Sequence, residues 1–294
     1  MELLDLPIEI LEDIILKIRE TNSYKNLRVS CKTCYNLMQA VKRFYMNKKI
    51  KCILNFKNHK PVYQHLYWYP NGFLKSIYNY KKGTLFGECF KYYFRGNIKF
   101  KGNYFYGKKH LRQIKYHYDG HHEYSENYLF GLKSGICYYY SANNIIKFLA
   151  HYRLGRLNGE AKQFYSNGNI FFNLNYKNNI LHGEFKKYSI SNVLLSQGNY
   201  TYGKLDGNLK LYNNLGIMTY NYNYNKGKLD GVFNFYYDTG EINVSCNYKN
   251  DRLHGNYKSF YENGNIEEDK NYKFGFLNDT ATYYDINGFK ITEK

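Results

Sequence analysis

Hydrophobic and polar residues alternate along most of this chain. In residues 170–176, apolar side chains occupy the even positions, and Asn173 and Asn175 lie between two pairs of them. Residues 242–248 repeat the alternation, with Ile, Val, Cys and Tyr separated by Asn, Ser and Asn. A period of two places one set of side chains on each face of a β-strand. The pattern therefore predicts strands with one apolar face and one polar face.

The alternating segments recur every 24 residues without an insertion. An aromatic residue recurs at each step from Trp68, and a sequence that keeps such a register predicts tandem repeats of one hairpin each. The structural residues of the repeat are a tyrosine series and a glycine series: Tyr80, Tyr104, Tyr128, Tyr152, Tyr176, Tyr200, Tyr224, Tyr248 and Tyr272, with Gly87, Gly135, Gly159, Gly183, Gly207, Gly231 and Gly255.

Two kinds of turn are expected in each repeat. An Asn-Gly pair, as at 263–264, is typical of a hairpin turn because both residue types tolerate a positive φ. A Gly-x-Leu-x-Gly segment, as at 227–231, makes the return turn to the next repeat. Phe233 and Tyr236 are three residues apart, so a β-bulge or strong twist is needed to bring both rings to one side.

The tyrosine series, the Gly-x-Leu-x-Gly turns and the aromatic-x-x-Gly turns resemble MORN-type repeats, in particular the variant of YwqK-like antitoxin proteins. The resemblance covers roughly residues 63–290. It implies an interaction scaffold, and some members of that family are associated with membranes or phosphoinositides. The better-known form carries more tryptophan, whereas Trp68 is the only one here.

Residues 3–45 have a different spacing of apolar residues. Apolar residues from Leu6 to Ile18 follow helical spacing, Pro7 suits a first helical turn, and acidic residues occupy the early turns. A second apolar set runs from Leu27 to Phe44. Three short helices of this size make a small core, so a partner is expected to stabilise them.

This segment resembles the F-box, a three-helix module that docks on Skp1 in cullin ubiquitin ligases. The resemblance implies that the Skp1-docking residues are Leu6, Pro7, Ile10, Ile14 and Leu27. Cys34 stands where that family often has an aromatic residue. A generic helical cap is the alternative. The pairing of such a segment with these repeats also resembles proteins of large DNA viruses of amoebae.

The predicted fold is mainly β: an elongated single antiparallel sheet of tandem 24-residue hairpins with a small N-terminal three-helix F-box-like module. The predicted domains are residues 1–46 for the F-box-like module, 47–62 for a basic connector or capping strand, and 63–294 for the MORN-type repeats. Within the connector, residues 50–56 fit an extra strand that caps the N-terminal edge of the sheet.

Charge and chemistry restrict the function further. The chain carries 42 Lys and Arg against 24 Asp and Glu, a net charge of +18, which favours acidic partners, although lysines also keep a flat sheet soluble. Six scattered cysteines, no predicted signal peptide and no long apolar run favour an intracellular, cytoplasmic protein, in the host cytoplasm if viral. Cys31 and Cys34, the pair His121-His122, and the turn residues His182 and His254 are not expected to bind metal.

No catalytic, cofactor or metal site is predicted, so an enzyme is not expected. The preferred function is a substrate-recruiting adaptor, in which a Skp1-like protein binds the N-terminal helices and an unknown target protein binds the repeat sheet. The first alternative is a scaffold or a protein of anionic membrane surfaces. The second alternative, nucleic-acid binding, is disfavoured because packing between repeats already accounts for the Tyr positions.

Overall fold

A computed structural model describes residues 39–291, and over this range the chain is all β, with no helix. The chain divides into two compact units, residues 1–108 and 109–294. Within each unit, the elements in most extensive contact are strands that pair with each other.

The described part of the first unit, residues 39–108, contains eight strands, and a ninth spans the unit boundary. Their bounds are β1 (Gln39–Phe44), β2 (Ile50–Lys57), β3 (Lys60–Pro61), β4 (Tyr63–Trp68), β5 (Leu74–Lys81), β6 (Thr84–Leu85), β7 (Gly87–Tyr92), β8 (Ile98–Phe105) and β9 (Lys108–Lys109).

The second unit has a similar arrangement, except that two nine-residue strands each replace a two-residue strand and a six-residue strand, and the penultimate strand has three residues. Their bounds are β10 (Leu111–Tyr116), β11 (His122–Leu129), β12 (Leu132–Lys133), β13 (Gly135–Tyr140), β14 (Ile146–Arg153), β15 (Arg156–Phe164), β16 (Ile170–Lys177), β17 (Ile180–Leu181), β18 (Gly183–Tyr188), β19 (Leu194–Thr201), β20 (Lys204–Leu205), β21 (Gly207–Tyr212), β22 (Met218–Asn225), β23 (Lys228–Leu229), β24 (Gly231–Tyr236), β25 (Ile242–Lys249), β26 (Arg252–Phe260), β27 (Ile266–Lys273), β28 (Phe276–Leu277), β29 (Thr282–Tyr284) and β30 (Lys290–Ile291).

Neighbouring strands pair in antiparallel fashion with one register throughout. In the first unit, β4 pairs with β5 from Tyr63↔Tyr80 to Trp68↔Leu74. In the second unit, β21 pairs with β22 from Gly207↔Tyr224 to Tyr212↔Met218, and β22 pairs onward with β24. The antiparallel sheet of 24-residue hairpins is therefore confirmed within each unit.

The hairpin turn predicted at the Asn-Gly pairs is present. In residues 69–73, Gly72 N–H donates to Tyr69 O at 2.9 Å, and Tyr69 N–H donates to Phe73 O at 2.8 Å. Only Gly72 has a positive φ, of 96°, whereas the preceding Asn71 does not. This is a type I turn followed by one left-handed residue, so only the glycine of the Asn-Gly pair adopts a positive φ. Asn71 is suited to its position because its Oδ1 accepts the Phe73 N–H at 3.2 Å.

Paired positive φ angles occur instead in the return turn. Lys82 (φ 50°) and Gly83 (φ 88°) connect β5 to β6, and Lys81 pairs with Thr84 across them. Two consecutive left-handed residues define a type I′ turn, whose twist matches that of the flanking strands. The strand then resumes through Gly87, also at positive φ (84°).

The predicted bulge is present in the hairpins. The register shifts between Phe235 and Tyr236 in β24, and between Lys187 and Tyr188 in β18. An extra residue on one strand rotates the following side chain, which reconciles aromatic residues three apart with a period-two strand.

The predicted helical module is corrected where the structure tests it. Gln39–Phe44, which lies inside the proposed 1–46 helical module, is strand β1 and pairs with β2 from Gln39↔Phe56 to Phe44↔Ile50. Sheet pairing here overrides the helical spacing of Val41 and Phe44, because local patterns are weaker than a complete ladder of backbone hydrogen bonds. Residues 1–38 lie outside the described part of the chain.

The segment assigned to a capping strand, residues 50–56, does form a strand, β2. It is not the last strand of the sheet, because β1 pairs with it on one side and β4 on the other, through Cys52↔Tyr67 and Ile53↔Leu66.

Candidate interaction surface

The register gives each unit two chemically distinct faces. In β21 and β22, Leu209 lies opposite Tyr222 on one face, and Lys210 lies opposite Asn221 on the other. We define the aromatic face of the second unit by the first set of positions: Tyr139, Phe148, Tyr152, Phe172, Tyr176, Phe185, Tyr200, Tyr220, Tyr222, Tyr224, Phe233, Phe235, Tyr248, Tyr257 and Tyr272. We define its polar face by Lys162, Asn173, Lys186, Gln197, Lys210, Asn221, Asn234, Ser245, Lys258 and Asp269, which oppose one another in successive strand pairs.

Rings on the aromatic face contact one another between strands. Tyr220 packs on Phe235 with ring centroids 4.9 Å apart, and Tyr222 packs on Phe233 at 5.1 Å. Phe233 in turn meets Tyr248 edge-on at 6.0 Å. These side chains are only half-buried, and burial raises the pKa of the Tyr222 hydroxyl. These three strands therefore present an amphipathic cluster of rings.

The predicted glycine and tyrosine series meet across the sheet. Gly231 lies opposite Tyr248 and Gly207 opposite Tyr224 in neighbouring repeats. Every glycine of the series has a positive φ, between 84° and 116°. A positive φ favours glycine because it lacks a Cβ. Leu111 takes the glycine position opposite Tyr128 and has a φ of 57°.

A buried carboxylate interrupts the aromatic face. Glu126 is 7% exposed, and its Oε1 lies 2.7 Å from Lys133 Nζ. The hydroxyls of Tyr139 and Tyr128 donate to Glu126 at 2.7 and 2.8 Å. Burial would raise the pKa of this carboxyl, but hydrogen bonds from Lys133, Tyr139 and Tyr128 outweigh it, so the pKa is lowered. The sequence signal is an acidic residue at a position whose neighbouring repeats carry small or apolar residues, and the sequence analysis missed it.

On the polar face, side-chain amides donate hydrogen bonds to backbone carbonyls of the next long strand. Asn127 Nδ2 donates to Ile136 O at 2.6 Å, and Asn175 Nδ2 donates to Glu184 O at 2.7 Å, in each case nine residues along the chain. His151 takes the equivalent position, with Nδ1 2.9 Å from Glu160 O. These bonds occur where the return turn interrupts the backbone ladder, and they satisfy carbonyls that the ladder leaves free.

Three amide oxygens of the polar face, on Asn173, Asn221 and Asn234, are buried and accept no hydrogen bond from the described residues. A shallow, open depression on the same face is lined by Glu184, Gln197, Gly198, Asn199, Asn208 and Lys210. It has no apolar floor, so it does not resemble a small-molecule pocket.

Histidines of the return turns support bulky residues in the left-handed conformation. The N–H groups of Tyr202 and Phe274 point to Nδ1 of His182 and His254 at 3.4 Å. The rings also contact each other in a tilted arrangement, with centroids 5.2 and 4.8 Å apart. His182 and His254, identified from sequence only as turn residues, thus stabilise the turn tips.

The remaining predicted residues are placed as follows. His121 Nδ1 lies 3.2 Å from Ala142 O, and the His122 ring lies between Tyr116 and Tyr140. Within residues 39–291, no group of three or more His, Cys, Asp or Glu is arranged to hold a metal ion. The described part of the chain also has no helix that is long and apolar enough to span a bilayer. The pair Cys31 and Cys34 lies outside the described residues, as do the proposed docking residues Leu6, Pro7, Ile10, Ile14 and Leu27.

Comparison with solved structures gives only distant likeness. The chain is 11% identical to the Tc holotoxin pore of Photorhabdus luminescens over 79% of its own length and 15% of that chain, with a TM-score of 0.19. It is 12% identical to the TcdB2-TccC3 complex over 86% of its own length and 18% of that chain, with a TM-score of 0.15. The chain thus spans less than a fifth of either structure, and no argument rests on them. No curated protein matches the sequence.

A protein-family model does match. Residues 157–178, 229–250 and 253–274 fit the MORN repeat variant. Each segment contains one hairpin, as in residues 229–250, where β24 (Gly231–Tyr236) and β25 (Ile242–Lys249) are joined by a hairpin turn. The MORN-type repeat predicted from the tyrosine and glycine series is therefore confirmed for three segments between residues 157 and 274.

Proposed function

We propose that the chain is a non-enzymatic, protein-binding repeat scaffold whose aromatic face holds the partner. The observation that carries this proposal is the ring cluster around Tyr220, Tyr222, Phe233 and Phe235, which stays half-buried in the described part of the second unit. Tyr and Phe are enriched where proteins bind one another, since they bury much area at little entropic cost.

The test compares two residues of one strand. Tyr222→Lys places a charge on the aromatic face, whereas Asn225→Lys places it at an exposed position on the other face of β22, where other repeats have Lys177 and Lys249. Affinity purification of the tagged full chain should recover a partner with wild type and Asn225→Lys, and lose it with Tyr222→Lys. Circular dichroism checks that both variants fold. Equal recovery from both variants would exclude the aromatic face as the binding surface.

The ligase-adaptor function is a more specific proposal and rests on sequence alone. The supporting feature is the apolar set Leu6, Ile10 and Ile14 next to Pro7, which resembles an Skp1-docking motif. The aromatic face would then hold the protein to be modified, and the assembled ligase would act on it through proximity.

Substitution of the docking residues tests the adaptor proposal. Leu6→Ala combined with Ile10→Ala should weaken Skp1 binding at least about a hundredfold, because each anchor contributes roughly 2 kcal/mol or more. Glu12→Ala is the matched control and should bind like wild type. Isothermal titration of the full chain with Skp1 measures both. An absence of wild-type binding at micromolar concentration rejects the adaptor proposal and leaves the scaffold proposal intact.

A further inference from the structure

Positive charge is concentrated in one part of the chain. Residues 39–108 contain fifteen Lys and Arg and a single acidic residue, Glu88. Residues 109–291, with the same repeat, contain twenty-one Lys and Arg and sixteen Asp and Glu. If lysines served only to keep the sheet soluble, repeats of one architecture would carry them evenly. The uneven distribution indicates an anionic partner for the first unit.

Six of these cations lie along one row of hairpin turns. We define the basic turn row as residues 45–51, 69–75 and 93–99. Three of its lysines hold equivalent repeat positions and lie over a tyrosine of their own hairpin: Lys51 over Tyr45 at 5.7 Å, Lys75 over Tyr69 at 5.6 Å and Lys99 over Tyr93 at 5.2 Å. Contact with a ring face orients each ammonium group while leaving it exposed. Since two strand spacings separate repeats, successive ammonium groups are about 10 Å apart.

Exposed rings lie between the cations. Phe73 is 52% exposed and Phe94 is 53% exposed, at the tips of adjacent turns. Phe94 meets Tyr69 edge-on at 5.3 Å, and Asn71 Nδ2 donates to Phe94 O at 2.8 Å, so the tip is held in place. Packing between repeats therefore leaves about half of each of these two rings exposed.

The equivalent turns of the second unit reverse the charge. The eight corresponding windows, from 117–123 to 285–291, contain two lysines, Lys147 and Lys290, and seven Asp and Glu. Glu123 and Glu267 occupy the same repeat position as Lys75. The hairpin turn thus forms equally well with either sign, so its structure does not require the cations of the first unit.

We propose that the basic turn row binds single-stranded nucleic acid, a function separate from protein binding by the aromatic face. Lysines and Arg95 neutralise phosphates, and the exposed faces of Phe73 and Phe94 stack on unpaired bases. An acidic peptide would satisfy the cations but has no planar bases for the two rings. A duplex would satisfy the phosphate contacts but keeps its bases stacked and unavailable.

Fluorescence anisotropy of the full chain with a labelled 24-nucleotide oligothymidylate tests the proposal. Lys75→Glu combined with Lys99→Glu should weaken binding at least about tenfold and reduce its salt dependence. Phe94→Ala should weaken it about tenfold through lost stacking. The matched controls are Lys147→Glu and Ile190→Ala, at the same repeat positions in the second unit; both should bind like wild type.

Several results would overturn the proposal. One is no binding at micromolar protein in about 50 mM salt. Another is equal weakening by the control variants, which would indicate diffuse charge. A third is displacement by polyglutamate as efficiently as by unlabelled oligothymidylate, together with wild-type affinity of Phe94→Ala. That result would identify an acidic polypeptide as the partner. Equal affinity for a duplex would exclude base stacking.

Discussion

At the residue scale, the most unusual side chain of the described sheet is Glu126. Its carboxylate is buried among rings and is satisfied by Lys133, Tyr128 and Tyr139. A buried ion pair gives little net stability compared with apolar residues, but removal of one partner leaves the other charge without compensation. The cost of substitution should therefore depend on whether one or both partners are replaced.

Glu126→Ala should lower the free energy of unfolding by about 2–4 kcal/mol, because Lys133 would keep a partly buried charge. Replacement of both Glu126 and Lys133 by Leu should cost less than the single change. Glu123→Ala is the control, since Glu123 also lies 2.7 Å from a lysine, Lys115, but is about a third exposed. Its loss should cost under about 1 kcal/mol. Urea unfolding measures all three, and equal losses for Glu126→Ala and Glu123→Ala would contradict the account.

The buried thiol of Cys246 predicts a dependence on alkaline pH. Burial raises its pKa to about 11 from an ordinary value of 9.0. The unfolded thiol ionises first as pH rises, so the stability contributed by this group is complete below pH 9 and is lost between about pH 9 and 11. Thermal unfolding of Cys246→Ser should show a shallower loss across that range than wild type. Identical slopes would indicate that Cys246 does not contribute to the alkaline transition.

At the element scale, each hairpin contains glycines with positive φ, and the space around them differs from one glycine to another. Gly231 has a φ of 116°, and a Cβ there would lie 2.9 Å from Asn223 Nδ2 and 3.2 Å from its Cβ. Gly207 has a φ of 87°, but nothing lies within 4 Å of its Cβ position. Both positions disfavour a side chain, and only the first also lacks space for one.

Gly231→Val should therefore destabilise the chain more than Gly207→Val. We expect losses of about 2–3 kcal/mol for the first and about 1–2 kcal/mol for the second, since both share the cost of the left-handed conformation. Chemical denaturation compares the two variants. A larger loss from Gly207→Val would show that crowding by Asn223 is unimportant.

The elements also show how far sequence reasoning reaches. The alternation and the 24-residue step predict strands near 87–93 and 97–104, and β7 and β8 lie within one residue of these bounds, because a strand pattern repeated many times averages out local exceptions. The position of the hairpin turn was predicted but its type was not, since an Asn-Gly pair fits both a type I′ turn and a type I turn with a left-handed glycine. Strand β1 was missed because Gln39–Phe44 has no repeat to support it and gains its structure from β2.

The candidate surface was harder to predict than the fold. The tyrosine series could be found by its period, but its pairing with the glycines needs the register. Glu126 departs from the repeat at a single position, so the 24-residue period does not reveal it. Its contacts with Lys133 and two tyrosine hydroxyls depend on how the strands pair. The net charge of the sequence favours a negatively charged partner. It does not show which repeats carry the basic residues, which requires aligning them by the 24-residue period.

At the scale of the whole molecule, one repeat supports two surfaces with different chemistry. The second unit carries the ring cluster proposed to bind protein, and the first carries the basic turn row proposed to bind single strands. Each hairpin is stabilised by pairing with its neighbours, so side chains at one repeat position can change without altering the backbone. The hairpin turns show this, since they carry Lys and Arg in the first unit and mainly Asp and Glu in the second.

The chain is organised as one hairpin every 24 residues. Hydrogen–deuterium exchange with overlapping peptides measures this period along the chain. Amides of the paired strands, such as β16 and β22, should exchange slowly, and amides of the hairpin turns should exchange fast. The account predicts that this protection pattern repeats every 24 residues from 63 to 273. Protection without that period, or a protected block that runs unbroken through the turns at 165–169 and 213–217, would contradict it.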